Sequence, residues 1–94
     1  MCKVIDSEVI LRAYFKKHPK KSRITYYELK QIRKQAEPQI DDVYLDITYS
    51  SIKDLILSYP DTIEAYQEGI IIKKGFRSSK SFDKDTYQLL LSYL

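Results

Sequence analysis

Three prolines divide the first two-thirds of this chain. Pro19, Pro38 and Pro60 each follow a stretch whose apolar residues recur every three or four positions. Proline lacks an amide hydrogen and clashes with the preceding turn, so none of these stretches can run on through it. Three short helices of about ten residues each are therefore expected before residue 60.

The first is expected from about Ser7 to Lys17. Asp6 or Ser7 can cap it, and Lys16, Lys17 and His18 suit its negative end. Val9, Ile10, Ala13 and Tyr14 line one face, which Leu11 and Phe15 widen. The second opens on Thr25-Tyr26-Tyr27-Glu28, a capping box in which the Thr25 hydroxyl and Glu28 carboxylate each satisfy the other's backbone N–H. Ile24 and Leu29 form a hydrophobic staple there, and Leu29, Ile32 and Ala36 make the buried stripe. The third carries Ile52, Leu55, Ile56 and Tyr59. It starts near Asp42 or, after a turn, near Thr48. Val43–Thr48 alternates well enough for a strand, although helix is the preferred reading.

Beyond Pro60 the signals change. Thr62–Gln67, Glu68-Gly69 and Ile70–Lys74 read as a hairpin with a two-residue turn. The alternative is a short helix over residues 61–68 with Gly69 after its end. Residues 75–81 form a polar, basic loop. A last helix is expected from Asp83, with Phe82 and Tyr87 as a second staple and Leu89, Leu90, Leu91, Tyr93 and Leu94 on it. Its apolar surplus suggests a dimer interface at Leu89, Tyr93 and Leu94. With 94 residues, 44% of them hydrophobic, the chain is expected to be one domain spanning residues 1–94. The expected fold class is mainly α with a small β-hairpin.

Charge is sorted along this chain. Residues 16–35 hold eight bases against Glu28, a net of +7, and residues 36–71 hold eight acids against Lys53, a net of −7. Residues 72–84 return to +4, with five bases against Asp83. Two basic segments brought together would attract a polyanion such as nucleic acid. Four of the eight acids, Asp41, Asp42, Asp46 and Asp61, fall where helix caps are expected.

Enzymatic function finds no footing. His18 is the sole histidine and Cys2 the sole cysteine, so neither a catalytic triad nor a zinc site is available. The carboxylates lack calcium-loop spacing, and no cofactor is expected. No apolar run exceeds three residues, as at Ile70–Ile72 and Leu89–Leu91, far too short to span a membrane. No signal peptide is evident, and an intracellular, cytoplasmic location is expected.

The order of helix, short extended segment at Arg23-Ile24, helix, helix, hairpin and helix resembles the winged-helix (winged helix-turn-helix) family of DNA-binding domains. The residues that carry the likeness are Val9–Phe15, Ile24–Leu29, Ser50–Ile56 and Ile63–Lys74. The resemblance implies a third helix in the major groove, with Thr48, Ser50, Ser51 and Lys53 facing DNA. It implies a wing and wing base carrying Lys73, Lys74, Arg77 and Lys80. It further implies phosphate contacts from Lys20, Lys21 and Arg23, with Thr25 at a helix N-terminus. Lys16 and Lys17 join these through the basic block itself. The expected function is binding of duplex DNA without catalysis, as a homodimer, in a transcriptional or replication-related role. Small viral and plasmid regulators are similar in size and composition. The alternative is a protein–protein module using the acidic centre, Leu57 and the last helix. A third reading is a single-strand binder using Tyr26 and Tyr27.

Overall fold

The structure is a computed structural model that describes residues 3–40, 42–73, 75–76, 88 and 90–94. Its elements follow the order β1 (Lys3–Ile5), α1 (Ser7–Lys17), β2 (Arg23–Thr25), α2 (Tyr26–Ala36), a 3-10 turn over Glu37–Gln39, β3 (Val43–Leu45), α3 (Tyr49–Ser58), β4 (Ile63–Tyr66) and β5 (Gly69–Ile72). Residues 88, 90 and 91 are helical, and the Tyr93 and Leu94 N–H groups donate back to the Leu90 carbonyl. The start expected for the last helix, at Asp83, lies outside the described residues.

Local signals place the helices. The Asp6 carboxylate accepts from the Val9 N–H at 3.1 Å and caps α1, and the His18 N–H closes its other end on the Tyr14 carbonyl. Thr25 and Glu28 form the complete capping box at the start of α2. The Thr48 hydroxyl accepts from the Ser51 N–H at 3.1 Å and sets the start of α3 at Tyr49. Pro38 lies inside the 3-10 turn that ends α2.

The position of α1 differs from expectation. One apolar face was foreseen, yet every residue from Ile10 to Phe15 is buried. Leu11, Tyr14 and Phe15 belong to one core cluster with Ile24, Leu29, Ile52, Ile63 and Ile70, while Ile10 and Ala13 belong to a second with Ile5, Ala36, Leu45 and Leu90. A helix shared by two clusters must bury most of its circumference. Arg12 is part of that circumference and is only 8% exposed. Its Nε lies 3.2 Å from Glu8, its guanidinium donates to the Phe76 carbonyl, and it stacks 4.5 Å over the Phe76 ring.

Two sheets complete the fold. β1 and β3 pair in parallel, with Lys3 opposite Val43 and Ile5 opposite Leu45. The helix preferred over Val43–Thr48 is thus corrected to a strand. The alternation of apolar residues was real, and the partner that makes it a strand lies some forty residues upstream in β1. The second sheet is antiparallel in the order β2-β5-β4. The hairpin expected after Pro60 is present, but its turn is Gln67-Glu68, one residue earlier than the sequence suggested. Gly69 is a strand residue, opposite both Thr25 and Tyr66. The extended segment at Arg23-Ile24 is an edge strand of this sheet. The described residues thus form a small α/β protein with the helices α1 to α3 and an antiparallel three-stranded sheet, in which β2 adds to the expected hairpin.

Candidate nucleic-acid interface

The fold decides which charges stay available to a partner. Six of the ten described acids are used internally. Asp6 caps α1, and Glu8 binds Arg12 and accepts from the Tyr59 hydroxyl at 3.0 Å. Glu37 pairs with Arg33 at 3.3 Å and accepts from the Leu45 N–H at 2.9 Å. Asp46 accepts from the Thr48 hydroxyl at 3.4 Å, and Glu64 pairs with Lys73 at 3.2 Å. By contrast, Lys20, Arg23, Lys30, Lys34 and Lys53 are exposed and have no anionic partner among the described residues. Four of these five lie on the α1–β2 loop, β2 and α2. Asp42, Asp54, Asp61 and Glu68 are exposed acids without a cationic partner among the described residues, before β3, on α3, before β4 and at the hairpin tip respectively.

Helix α2 presents the main cationic ridge. Leu29 and Ala36 are buried and Ile32 half-buried, which turns Tyr27, Lys30 and Lys34 outward on the opposite face. Lys30 and Lys34 were counted in the basic block, but the likeness to a DNA-binding family gave them no role. The outward spacing of 27, 30 and 34 against the inward spacing of 29, 32 and 36 is the signal that finds them. Arg33 is held aside, paired with Glu37 and 4.6 Å over the Tyr44 ring.

Several expected contacts have other occupations. The Thr25 hydroxyl accepts from the Glu28 N–H at 3.0 Å, and the Thr25 N–H is within 3.4 Å of the Glu28 carboxylate. The phosphate pocket expected at this N-terminus is thus already filled by a carboxylate. Lys21 joins that group, donating to the Tyr14 hydroxyl at 3.1 Å and lying 3.7 Å from Glu28. Burial alone would raise the Glu28 carboxyl. Hydrogen bonds from Tyr14 and Thr25 and the charge of Lys21 outweigh it and hold the group below the usual carboxylate range. The hydrogen bond to Tyr14 raises Lys21, and burial raises Tyr14.

Ser51 is likewise turned inward: its hydroxyl lies 2.9 Å from Ser7 Oγ and 3.2 Å from the Asp46 carbonyl. The residue falls on the side of α3 that faces α1, whereas Ser50 and Lys53 face solvent. Lys16 and Lys17 are exposed at the end of α1, where Lys17 donates to the Leu91 carbonyl at 3.0 Å. Lys73 lies at the root of the hairpin, beyond β5, while the tip carries Gln67 and Glu68. Lys74, Arg77 and Lys80 lie outside the described residues.

The expected dimer contacts change in the same way. Tyr93 and Leu94 are half-buried and pack on the chain's own second cluster. Part of the surface expected at a dimer interface thus covers the chain's own core, and Leu89 lies outside the described residues. Among the described residues the exposed large apolar side chains are Val4, Tyr27, Tyr49 and Leu57.

Aromatic rings border the cationic ridge. Arg23 stacks 5.9 Å over the Tyr66 ring. Thr25, Gly69 and Tyr66 form one row across the sheet, and the Tyr26 N–H donates to the Glu68 carbonyl at 2.9 Å. The start of α2 is thereby fixed beside the hairpin tip. Burial raises the Tyr26 phenol, and the nearby Tyr49 and Tyr66 raise it further.

No protein-family model matches this chain, and no curated protein or solved structure does either. Among the described residues, no group of three His, Cys, Asp or Glu side chains could hold a metal ion. No described helix is long and apolar enough to cross a membrane.

Proposed function

We propose that this chain binds duplex DNA without catalysing a reaction, in the manner of a winged-helix domain. The observation that carries the reading is where folding leaves unpaired charge. Lys20, Arg23, Lys30 and Lys34 face solvent on the α1–β2 loop, β2 and α2 without an anionic partner among the described residues, while the exposed, unpaired acids Asp42, Asp54, Asp61 and Glu68 lie before β3, on α3 and around the hairpin. Cations at such positions neutralise phosphates and release the counterions condensed on DNA. The order α1-β2-α2-α3-β4-β5, with β5 between β2 and β4, is also the order that a winged helix requires.

In this reading the α1–β2 loop and the α2 ridge lie along the backbone. The exposed face of α3, with Ser50 and Lys53, approaches base edges. That face offers few donors and includes Asp54, so affinity comes chiefly from phosphates and base discrimination is weak. The test is anisotropy of a labelled duplex at about 50 and 200 mM salt. Four phosphate contacts, from Lys20, Arg23, Lys30 and Lys34, give a log–log slope near −3.6, which is a loss of roughly 150-fold across that range. Binding that ignores salt, or none at the lower salt, rejects the proposal.

A second reading rests on Leu57, which is 69% exposed beside the exposed Asp54 on α3. An exposed apolar side chain one turn from an acid suits a basic protein partner. Leu57→Ser tests it, because that change should leave the salt slope on DNA intact and weaken only a protein complex.

A further inference from the structure

We propose that the same surface also takes single-stranded DNA, with unstacked bases resting on the rings of Tyr49 and Tyr27. This rests on the nucleic-acid reading above and names a second state of its ligand.

Tyr49 is 75% and Tyr27 70% exposed, although a tyrosine ring gains more than 1 kcal/mol from burial. Each stands in the first turn of its helix, α3 and α2 respectively. Neither ring is spent on the core, unlike Tyr14, which is buried. Each also has a solvent-facing cation one turn later in its own helix, Lys30 after Tyr27 and Lys53 after Tyr49. Residues three and four apart in a helix are neighbours on its surface, so each ring has a positive charge beside it.

The rings are tied to one another. Tyr26 is half-buried and opens α2 beside the hairpin tip, where its N–H donates to the Glu68 carbonyl two residues after Tyr66, and the upward shift of its phenol under the influence of Tyr66 and Tyr49 agrees with that placement. Tyr66 is anchored by its row with Gly69 and Thr25 and by Arg23 stacked over it. The result is a run of aromatic groups from β4 through α2 to α3, edged by cations. That combination of π-faces and a cationic track is what single strands bind, because each base offers a face to stack and each phosphate a charge to neutralise. A closed duplex hides its base faces, so the two exposed rings have no stacking partner there.

The test compares two labelled probes by anisotropy at one salt concentration: an oligothymidine of roughly a dozen nucleotides and a duplex of equal length. Tyr27→Leu and Tyr49→Leu each keep apolar bulk at an exposed position and remove the π-face. Each is expected to weaken binding of the single strand by about tenfold and to leave duplex affinity within about twofold. Equal loss on both probes, or no loss on the single strand while the duplex still binds, overturns the stacking inference alone. Failure of the unmodified protein to bind either probe overturns it together with the DNA reading.

Discussion

Gly69 pairs with Thr25 so closely that one added methyl group has nowhere to go. A Cβ at this position would lie 2.6 Å from Thr25 Cα and 2.9 Å from the Ile24 carbonyl carbon, and closer still to the Ile24 oxygen. All three atoms are backbone, so no side chain can swing aside. Ordinary carbon contacts need about 3.5–4.0 Å, so β2 and β5 must part by roughly an ångström. That movement strains the ladder from Arg23–Ile71 to Thr25–Gly69 and loosens Ile24 against Ile70, both fully buried. Overpacking of this kind costs about 1–3 kcal/mol, and each weakened ladder hydrogen bond adds about 1 kcal/mol. Gly69→Ala should therefore cost about 3 kcal/mol and lower Tm by about 12–24 °C for a domain of this size. Gly75 is the internal control, being the only other glycine. It has φ of +103°, but a Cβ there meets only Thr62 Cγ2 at 3.5 Å. Gly75→Ala should carry the left-handed backbone penalty alone, about 1–2 kcal/mol. Urea unfolding followed by circular dichroism measures both variants. If Gly69→Ala costs no more than Gly75→Ala, the close approach of β2 and β5 is wrong.

Three further outcomes follow from the geometry. Glu28→Gln should destabilise the protein at neutral pH. Because the folded carboxyl is held low, its contribution is present above the ordinary carboxylate range and is lost as pH falls through the depressed value. The gap to the unmodified protein, read from urea midpoints, should therefore narrow below about pH 4, and a gap that stays constant refutes the ionic role. Arg12→Ala should cost about 3 kcal/mol, since it strips Glu8 of its buried partner and the Phe76 carbonyl of its donor. A cost under about 1 kcal/mol in a thermal melt would mean that the guanidinium is not buried as described. Thr48→Ala should cost about 1 kcal/mol through loss of the cap on α3, and an unchanged melt would move the start of that helix.

What the sequence disclosed depended on range. Pro19, Pro38, Pro60 and the Thr25–Glu28 capping box act within a few residues, and the ends of α1, α2 and α3 follow from them. The β4–β5 hairpin is nearly as local, but its turn was displaced by one residue because Gly69 serves β2, more than forty residues away in the chain. The pairing of β1 with β3 has the same origin: Val43–Leu45 alternates, but only the remote Lys3–Ile5 makes it a strand. Burial of Arg12 was invisible for another reason, since an arginine amid Leu11, Ala13 and Tyr14 gives no sign that helix and sheet will close over it.

The candidate site was legible as composition and not as placement. Counting charges found the basic segment, and the capping box even announced that Glu28 would engage Thr25. The count could not separate Lys21, tied to Tyr14 and Glu28, from Lys20, which has no such tie. Nor could it separate Ser51, directed at Ser7, from Ser50. Those distinctions depend on which side of each helix meets α1.

The central claim is that folding leaves a specific set of cations for DNA and withdraws others. It is tested most directly by comparing salt slopes of duplex binding for single neutral substitutions. Lys20→Gln, Lys30→Gln and Lys34→Gln should each reduce the magnitude of the slope by about 0.9, one phosphate contact apiece. Lys73→Gln, whose lysine is paired with Glu64, should leave it unchanged. Equal effects at paired and unpaired lysines, or no effect at either, would contradict the account.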